Sequence, residues 1–259
     1  MNNYYDFPVV IVGGLPTASV TRVNLAQCMV QDCMKARADP DAWIPKVVLS
    51  SNGQGIALAG QDPDFAAIMS QADIIHADGM PVVFASKMTE HPLPERIATT
   101  DFFHDAARAA EENGLKFFIL GAKDEQNKAA VKTIGQLYPN AEIVGRRDGY
   151  FSAEADDEVC AQIRSSGADV LWVALGKPRQ EYWAIRNKDK LKGVGWIKTC
   201  GGLYAFLAGD APRAPGWMQA AGLEWLYRAM KEPRRLGLRY LVTNPYSLFR
   251  LASATRRRG

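Results

Sequence analysis

Short apolar, β-rich runs alternate along the chain with longer segments whose apolar residues recur at helical spacing. Phe7–Val12, Lys46–Ser50, Ile74–Ile75, Lys116–Leu120, Glu142–Gly145, Asp169–Ala174 and Gly195–Cys200 read as strands. Thr17–Ala38, a segment opening near Pro81, Phe102–Asn113, a segment from Gly121 to about Tyr138, and Ala153–Ser166 read as helices. This alternation predicts an α/β fold, a Rossmann-like, doubly wound and mostly parallel sheet with right-handed crossovers. Beyond Gly209 the pattern changes. Ala211-Pro212-Arg213-Ala214-Pro215 is a Pro-punctuated connection. Trp217–Lys231 reads as a helix broken by Pro233, and Arg234–Thr243 and Tyr246–Ala254 as short helices that mix Leu, Tyr and Phe with Arg. The expected organisation is an α/β body over residues 1–209 and a basic, amphipathic helical appendage over 210–259.

Composition changes this picture in one respect. Among 259 residues, 47% are hydrophobic and 23% charged, which suits an ordinary globular protein with a sizeable core. The net charge of +3 conceals an asymmetry. Residues 212–259 carry ten basic side chains against Glu224 and Glu232, while the rest of the chain is mildly acidic. A basic tail suits an anionic membrane, a nucleic acid or a phosphorylated ligand. No apolar run approaches the roughly 20 residues of a membrane-spanning helix, and the first residues lack a signal-peptide pattern, so a cytoplasmic location is expected. Cys28, Cys33, Cys160 and Cys200 have no paired ligand spacing and read as reduced thiols.

Candidate chemistry gathers where strands end, because ligands of open α/β sheets bind at the carboxyl rim. Asp78 follows Ile74–Ile75 and precedes Gly79 and a helix start. It reads either as a general base or as an N-cap. The turn Ser51-Asn52-Gly53-Gln54-Gly55 ends a second strand and reads as a ligand rim or as a loop satisfying its own backbone. Gly176-Lys177-Pro178-Arg179-Gln180-Glu181 joins a strand to a helix start and suits an anion. Gly201-Gly202 closes the last strand, and Thr100 or Asp101 caps the helix Phe102–Asn113. Asp39-Pro40-Asp41 and Asp62-Pro63-Asp64 match the D-x-D of metal-dependent sugar transferases by letters. Neither follows an apolar strand, so both read as Asp caps with Pro at the first helical position. No dinucleotide fingerprint, P-loop, H-E-x-x-H or nucleophile elbow occurs, and His76, His91 and His104 fall in different elements. No metal site and no cofactor is expected. The basic helices suit a membrane interface or a subdomain packed on the body, and the two readings are compatible.

Several motifs occur in order: Asp78-Gly79 after a short strand, Leu93-Pro94-Glu95-Arg96 before Thr100-Asp101, and Gly176–Glu181 with Trp183. Arg213-Ala214-Pro215, Leu223-Glu224-Trp225-Leu226-Tyr227-Arg228 and Glu232-Pro233-Arg234-Arg235 complete the series. The set resembles the WecG/TagA/CpsF glycosyltransferases of bacterial surface-polysaccharide synthesis, over nearly the whole chain. The resemblance implies an inverting, metal-independent transferase with a Rossmann-like body. It would move a sugar, of N-acetylmannosamine or glucose type, from a UDP-activated donor to a polyprenyl-diphosphate-linked saccharide. It would act peripherally at the inner face of the cell membrane, in exopolysaccharide or cell-envelope synthesis, as a possible homo-oligomer. By the same resemblance Asp78 is the catalytic base. Ser50, Asn52, Arg96 and Asp101 line the acceptor pocket. Gly176, Lys177, Gln180, Glu181, Gly201 and Gly202 form the donor-nucleotide rim, and Arg228, Arg234 and Arg235 reach the diphosphate. Two departures stand out: the family's Gly-Thr-Asp is Thr99-Thr100-Asp101, and its Gly-Ala-Phe-Asp-Phe is Gly202-Leu203-Tyr204-Ala205-Phe206. The second puts Ala205 where an Asp is expected and bears on the donor sugar.

Other readings follow from the residues alone. A nucleotide-binding oxidoreductase shares the fold class but lacks the glycine fingerprint. A nucleic-acid-binding protein would use the basic tail, and a non-catalytic membrane-associated scaffold would keep the tail without needing Asp78.

Overall fold

The structure, a computed structural model, describes residues 7–256, without the side chains of Arg235 and Leu238. The strands are β1 (Val9–Val12), β2 (Leu15–Ala18), β3 (Lys46–Ser51), β4 (Ile74–Ala77), β5 (Lys116–Gly121), β6 (Glu142–Arg147), β7 (Val170–Ala174) and β8 (Trp196–Thr199). The helices are α1 (Arg22–Ala38), α2 (Gly53–Gln61), α3 (Pro63–Ser70), α4 (Met80–Ser86), α5 (Thr99–Asn113), α6 (Asp124–Leu137), α7 (Asp156–Ser165) and α8 (Arg179–Asn187). They continue with α9 (Leu203–Leu207), α10 (Gly216–Ala220), α11 (Glu224–Lys231), a π turn (Pro233–Gly237) and α12 (Leu238–Ser253). A six-stranded, all-parallel sheet of order β4-β3-β8-β7-β5-β6, flanked by helices, makes this the expected α/β, Rossmann-like fold.

Contacts divide the chain into two units. The first comprises the described parts of Met1–Thr21, Ser50–Ala98 and Pro212–Gly259; the second comprises Arg22–Leu49 and Thr99–Ala211.

The second unit holds the centre of the sheet. β7 pairs in parallel with β5 and β8, and its five residues are all buried. A strand covered on both faces reads as a continuous apolar run, which is why Asp169–Ala174 was visible as a strand. Trp172 packs against Phe103 with ring centroids 4.8 Å apart and against Phe117 at 5.7 Å. On α1, Leu25, Met29, Cys33 and Ala36 recur at helical spacing and are buried. Asp32 shares that buried face, where its Oδ2 accepts from Trp196 Nε1 at 2.7 Å. Burying a carboxylate there is tolerable only with such a donor.

The elements depart from expectation at several places. Leu15–Ala18 is a strand, and the first helix begins at Arg22 instead of Thr17. Gly13 and Gly14, at φ +61° and +88°, form the two-residue turn of a β1–β2 hairpin. Positive φ at both central residues is the signature of the turn that matches strand twist. The turn after β3 runs directly into α2, with Asn52 as N-cap. Trp217–Lys231 is two helices, parted near Gly222 at φ +74°, and the last two expected helices are one, α12, with Pro245 inside it.

Residues 212–259, set apart by composition, make extensive contacts inside the first unit. α12 packs along α2. A Cβ on Gly53 would lie 3.2 Å from Ser247 Oγ, and one on Gly60 would lie 2.8 Å from Tyr246 Cε1. The two glycines, two turns apart on α2, let the helices approach closely. Tyr246 Oη donates to Gly60 O at 2.9 Å. The end of α12 returns to the hairpin, where Gly14 N donates to Ala254 O at 2.9 Å and Gly13 N to Thr255 Oγ1 at 3.1 Å. The opposite side of α12 leaves Leu241, Val242, Leu248 and Phe249 exposed.

Candidate active site

In the first unit the site residues stand on the carboxyl ends of β3 and β4. Asp78 N donates to Ser51 O at 2.8 Å, and Ile97 N donates to Ala77 O at 2.7 Å. The segments carrying Ser50-Asn52, Asp78 and Arg96 are therefore tied to one another by backbone bonds. Ser50 is buried, while Asn52, Asp78 and Arg96 are partly exposed. Asn52 Oδ1 accepts from Gly55 N at 3.0 Å, so the oxygen of this side chain caps α2 and its NH2 is the end that can meet a ligand.

The two readings of Asp78 separate here. Gly79, not Asp78, occupies the N-cap position of α4, and Gly79 makes no side-chain cap hydrogen bond. The N-cap position that competed with catalysis therefore falls on Gly79. The Asp-Pro-Asp triplets also divide. Asp62 does cap α3, its Oδ1 accepting from Asp64 N at 2.9 Å and Phe65 N at 3.2 Å, with Pro63 at the first helical position. Asp39 follows the end of α1 and begins no helix; its Oδ1 accepts from Ala42 N at 3.3 Å in a turn.

Arg96 pairs with Glu224 of α11, and Arg213 Nε lies 3.5 Å from the same carboxylate. Arg228 follows Glu224 by one helical turn and is half-buried. Arg234 is exposed on the π turn, and the side chain of Arg235 lies outside the described residues. Glu224 was not among the expected site residues. Its signal was an acid in the first turn of a predicted helix, four residues before an arginine of interest.

In the second unit Lys177, Gln180, Glu181 and Gly201 of the donor rim form one hydrogen-bonded cluster, in which Gln180 and Glu181 are buried. Gly176, at φ +79°, leads into a cis Lys177–Pro178 bond and then α8. Lys177 Nζ donates to Glu181 Oε1 at 2.7 Å, and Gln180 Nε2 donates to the same oxygen at 2.9 Å. Gln180 Oε1 accepts from Gly201 N at 3.1 Å. The ends of β7 and β8 are thereby joined through one glutamine. The side chain of Glu181 is 0% exposed and that of Lys177 6%, so Glu181 acts on the rim through Lys177 and Gln180. Gly202 is the N-cap of α9, beside the Ala205 departure. α5 begins at Thr99, so Thr100 and Asp101 lie inside its first turn and neither is the expected cap; a carboxylate there suits the helix dipole, and Arg22 Nη1 is 4.0 Å from that of Asp101.

A cavity of about 750 Å³ lies on the opposite, amino-terminal rim of this unit, lined among others by Arg37, Lys116, Arg164 and Asp169. Asp169 there is structural: Arg37 Nε and Nη2 donate to its two oxygens at 2.7 and 2.6 Å, and Lys116 N donates at 2.6 Å.

The chain matches the Glycosyl transferase WecG/TagA/CpsF family over residues 10–259. It is 35% identical over 195 residues to the N-acetylglucosaminyldiphosphoundecaprenol N-acetyl-beta-D-mannosaminyltransferase of Bacillus subtilis (strain 168), covering 75% of each chain. It is 30% identical over 210 residues to the protein of the same name from Staphylococcus aureus (strain MW2), covering 81% of each. The chain belongs to the WecG/TagA/CpsF glycosyltransferase family. It is a glycosyltransferase, and the oxidoreductase, nucleic-acid and non-catalytic scaffold readings give way to that. No helix among the described residues is long and apolar enough to cross a membrane.

Proposed function

We propose that this enzyme transfers an N-acetylmannosaminyl group, with inversion and without a metal ion, from a UDP-activated donor to a polyprenyl-diphosphate-linked saccharide. The observation that carries the reading is the setting of Asp78. It stands at a strand's carboxyl end, partly exposed and one residue before the N-cap position of α4. The names of the relatives support the acceptor and sugar classes.

The chemistry assigned to the residues is a direct displacement. The acceptor hydroxyl gives its proton to the Asp78 carboxylate as its oxygen bonds to the anomeric carbon. The bond from that carbon to the donor phosphate oxygen breaks, and its electron pair leaves with UDP. The charge gathered on UDP needs donors in place, and arginine forks meet it without a metal. Arg228, Arg234 and Arg235 are assigned to phosphate charge, Ser50, Asn52, Arg96 and Asp101 to the acceptor, and the Gly176–Glu181 rim with Gly201 and Gly202 to the nucleotide. The exposed Leu241, Val242, Leu248 and Phe249 stripe, with basic residues on the same segment, supports peripheral binding at the inner membrane face. Exopolysaccharide or other cell-envelope synthesis is the setting this acceptor class implies.

A donor screen tests the reading. UDP-N-acetylmannosamine, UDP-glucose and UDP-N-acetylmannosaminuronate are each offered with a polyprenyl-diphosphate-N-acetylglucosamine acceptor in vesicles, with and without EDTA. The expected product carries β-linked N-acetylmannosamine and forms equally fast with EDTA. Product from UDP-glucose alone would move the donor assignment to glucose, in keeping with Ala205. Failure of every UDP-sugar would overturn the proposal.

A further inference from the structure

Glu224 opens α11 and engages two arginines at once. Arg96 Nη2 donates to its Oε2, and Arg213 Nε lies 3.5 Å from its Oε1. The side chains of Arg96 and Glu224 are 14% and 16% exposed, so this pair is shielded from water, unlike the labile pairs of open surfaces. Arg213 is itself braced, its Nη2 donating to Gln219 Oε1 at 2.6 Å while Gln219 Nε2 donates to Ala214 O at 2.7 Å. The Nε of Arg96 is buried with no hydrogen-bond partner among the described residues.

The same contact reaches the catalytic rim by two short routes. Ile97, next to Arg96, donates to the carbonyl of Ala77, the residue before Asp78. A Cβ on Gly222 would lie 3.1 Å from Met80 Cβ, so the turn entering α11 rests on the first turn of α4. Arg228, four residues beyond Glu224, emerges on the same face of α11.

We propose that Glu224 is a positioning residue for the transfer reaction. It seats α11 against Arg96, and thereby fixes the Arg228 guanidinium for the diphosphate-bearing substrate. The inference rests on the roles given above to Arg96 and Arg228, and adds a residue that touches no substrate itself.

The test is a double-mutant cycle on the full chain, with steady-state kinetics on the polyprenyl-diphosphate acceptor. Glu224→Gln is expected to lower kcat/KM about tenfold or more, and Glu224→Asp to recover part of the loss. In the Arg228→Ala background, Glu224→Gln should cost less than about twofold further, because what it positions is gone. A purely structural role would instead lower the melting temperature and multiply with Arg228→Ala. Should Glu224→Gln fail to fold, Glu224→Asp carries the cycle, with the same non-additivity expected. Losses that multiply would overturn the proposal. So would an unchanged Glu224→Gln rate beside an impaired Arg228→Ala enzyme, which strikes at Glu224 alone. A faster Glu224→Gln enzyme would mark Glu224 as a competitor for the arginines and overturn it too. Arg228→Ala at the parental rate would strike first at the role of Arg228.

Discussion

The amide of Asp78 donates to the carbonyl of Ser51 at 2.8 Å, so the end of β4 is held against the end of β3 at the residue assigned as the base. That bond is made by backbone.

Asn52, on the adjoining strand end, divides its side chain between structure and ligand. Its oxygen caps α2, and its NH2 is assigned to the acceptor. Asn52→Asp keeps the cap acceptor and removes the donor. Its unfolding free energy should stay within about 0.5 kcal/mol of the parent while the acceptor KM rises. Asn52→Ala should lose about 1 kcal/mol as well. Denaturant titration and acceptor kinetics on the two variants check this. Equal KM for Asn52→Asp and the parent would remove Asn52 from the acceptor site.

Gly14 is constrained twice. Its φ is +88°, and a Cβ would lie 2.4 Å from Arg250 Nη2. Gly14→Ala should destabilise the first unit by about 1–3 kcal/mol, read as a lower denaturation midpoint. Adding Arg250→Ala should recover only part of this, because the clash is with the far end of a flexible side chain whereas the backbone strain remains. Full recovery would contradict the conformational half of the explanation.

The Lys177–Glu181 pair is buried, so removing one partner leaves an uncompensated charge. Glu181→Gln should cost about 3–5 kcal/mol. The joint replacement Lys177→Met with Glu181→Leu should come close to the parent in stability, yet raise the KM for the UDP-sugar. Thermal melts and donor kinetics separate the two effects. A joint variant with parental donor KM would show that the pair only supports the fold.

Burial pushes the Cys28 and Cys160 thiols up to about 11 from an ordinary 9.0 and Cys200 up to about 12; Cys33 is raised too. Raised folded-state values mean the neutral thiol is the one the fold favours. Their contribution to stability is complete below pH 9 and is lost as pH rises toward 11–12. The native protein should therefore resist thiol reagents at pH 8 and lose stability steeply at alkaline pH. Rapid labelling of the folded protein at pH 8 would contradict this.

How legible the fold was depends on which interactions fixed each element. β5 and β7 are covered on both faces, so their runs Lys116–Leu120 and Asp169–Ala174 were plain in the sequence. β2 was hidden because Leu15–Ala18 is short and becomes a strand by pairing across Gly13-Gly14. α2 was hidden by its glycines: Gly53, Gly55 and Gly60 look like a loop, and two of them serve a close approach by α12. Trp217–Lys231 looked like one helix because periodicity does not register the φ of +74° at Gly222. At the site, the rim positions of Asp78, Gln180 and Lys177 followed from strand ends followed by glycine. What no linear pattern carried was the meeting of Arg96 with Glu224, 128 positions apart, or of Gln180 with the Gly201 amide. Those contacts exist only once the chain has folded back on itself.

Asp78→Asn tests the central claim most directly. The substitution keeps size and the backbone bond to Ser51, and removes only the ability to take a proton. Transfer to a polyprenyl-diphosphate acceptor should fall by about 10²–10⁴-fold in kcat, with near-parental melting temperature and donor KM. Turnover near the parental rate by a folded Asp78→Asn enzyme would contradict the account.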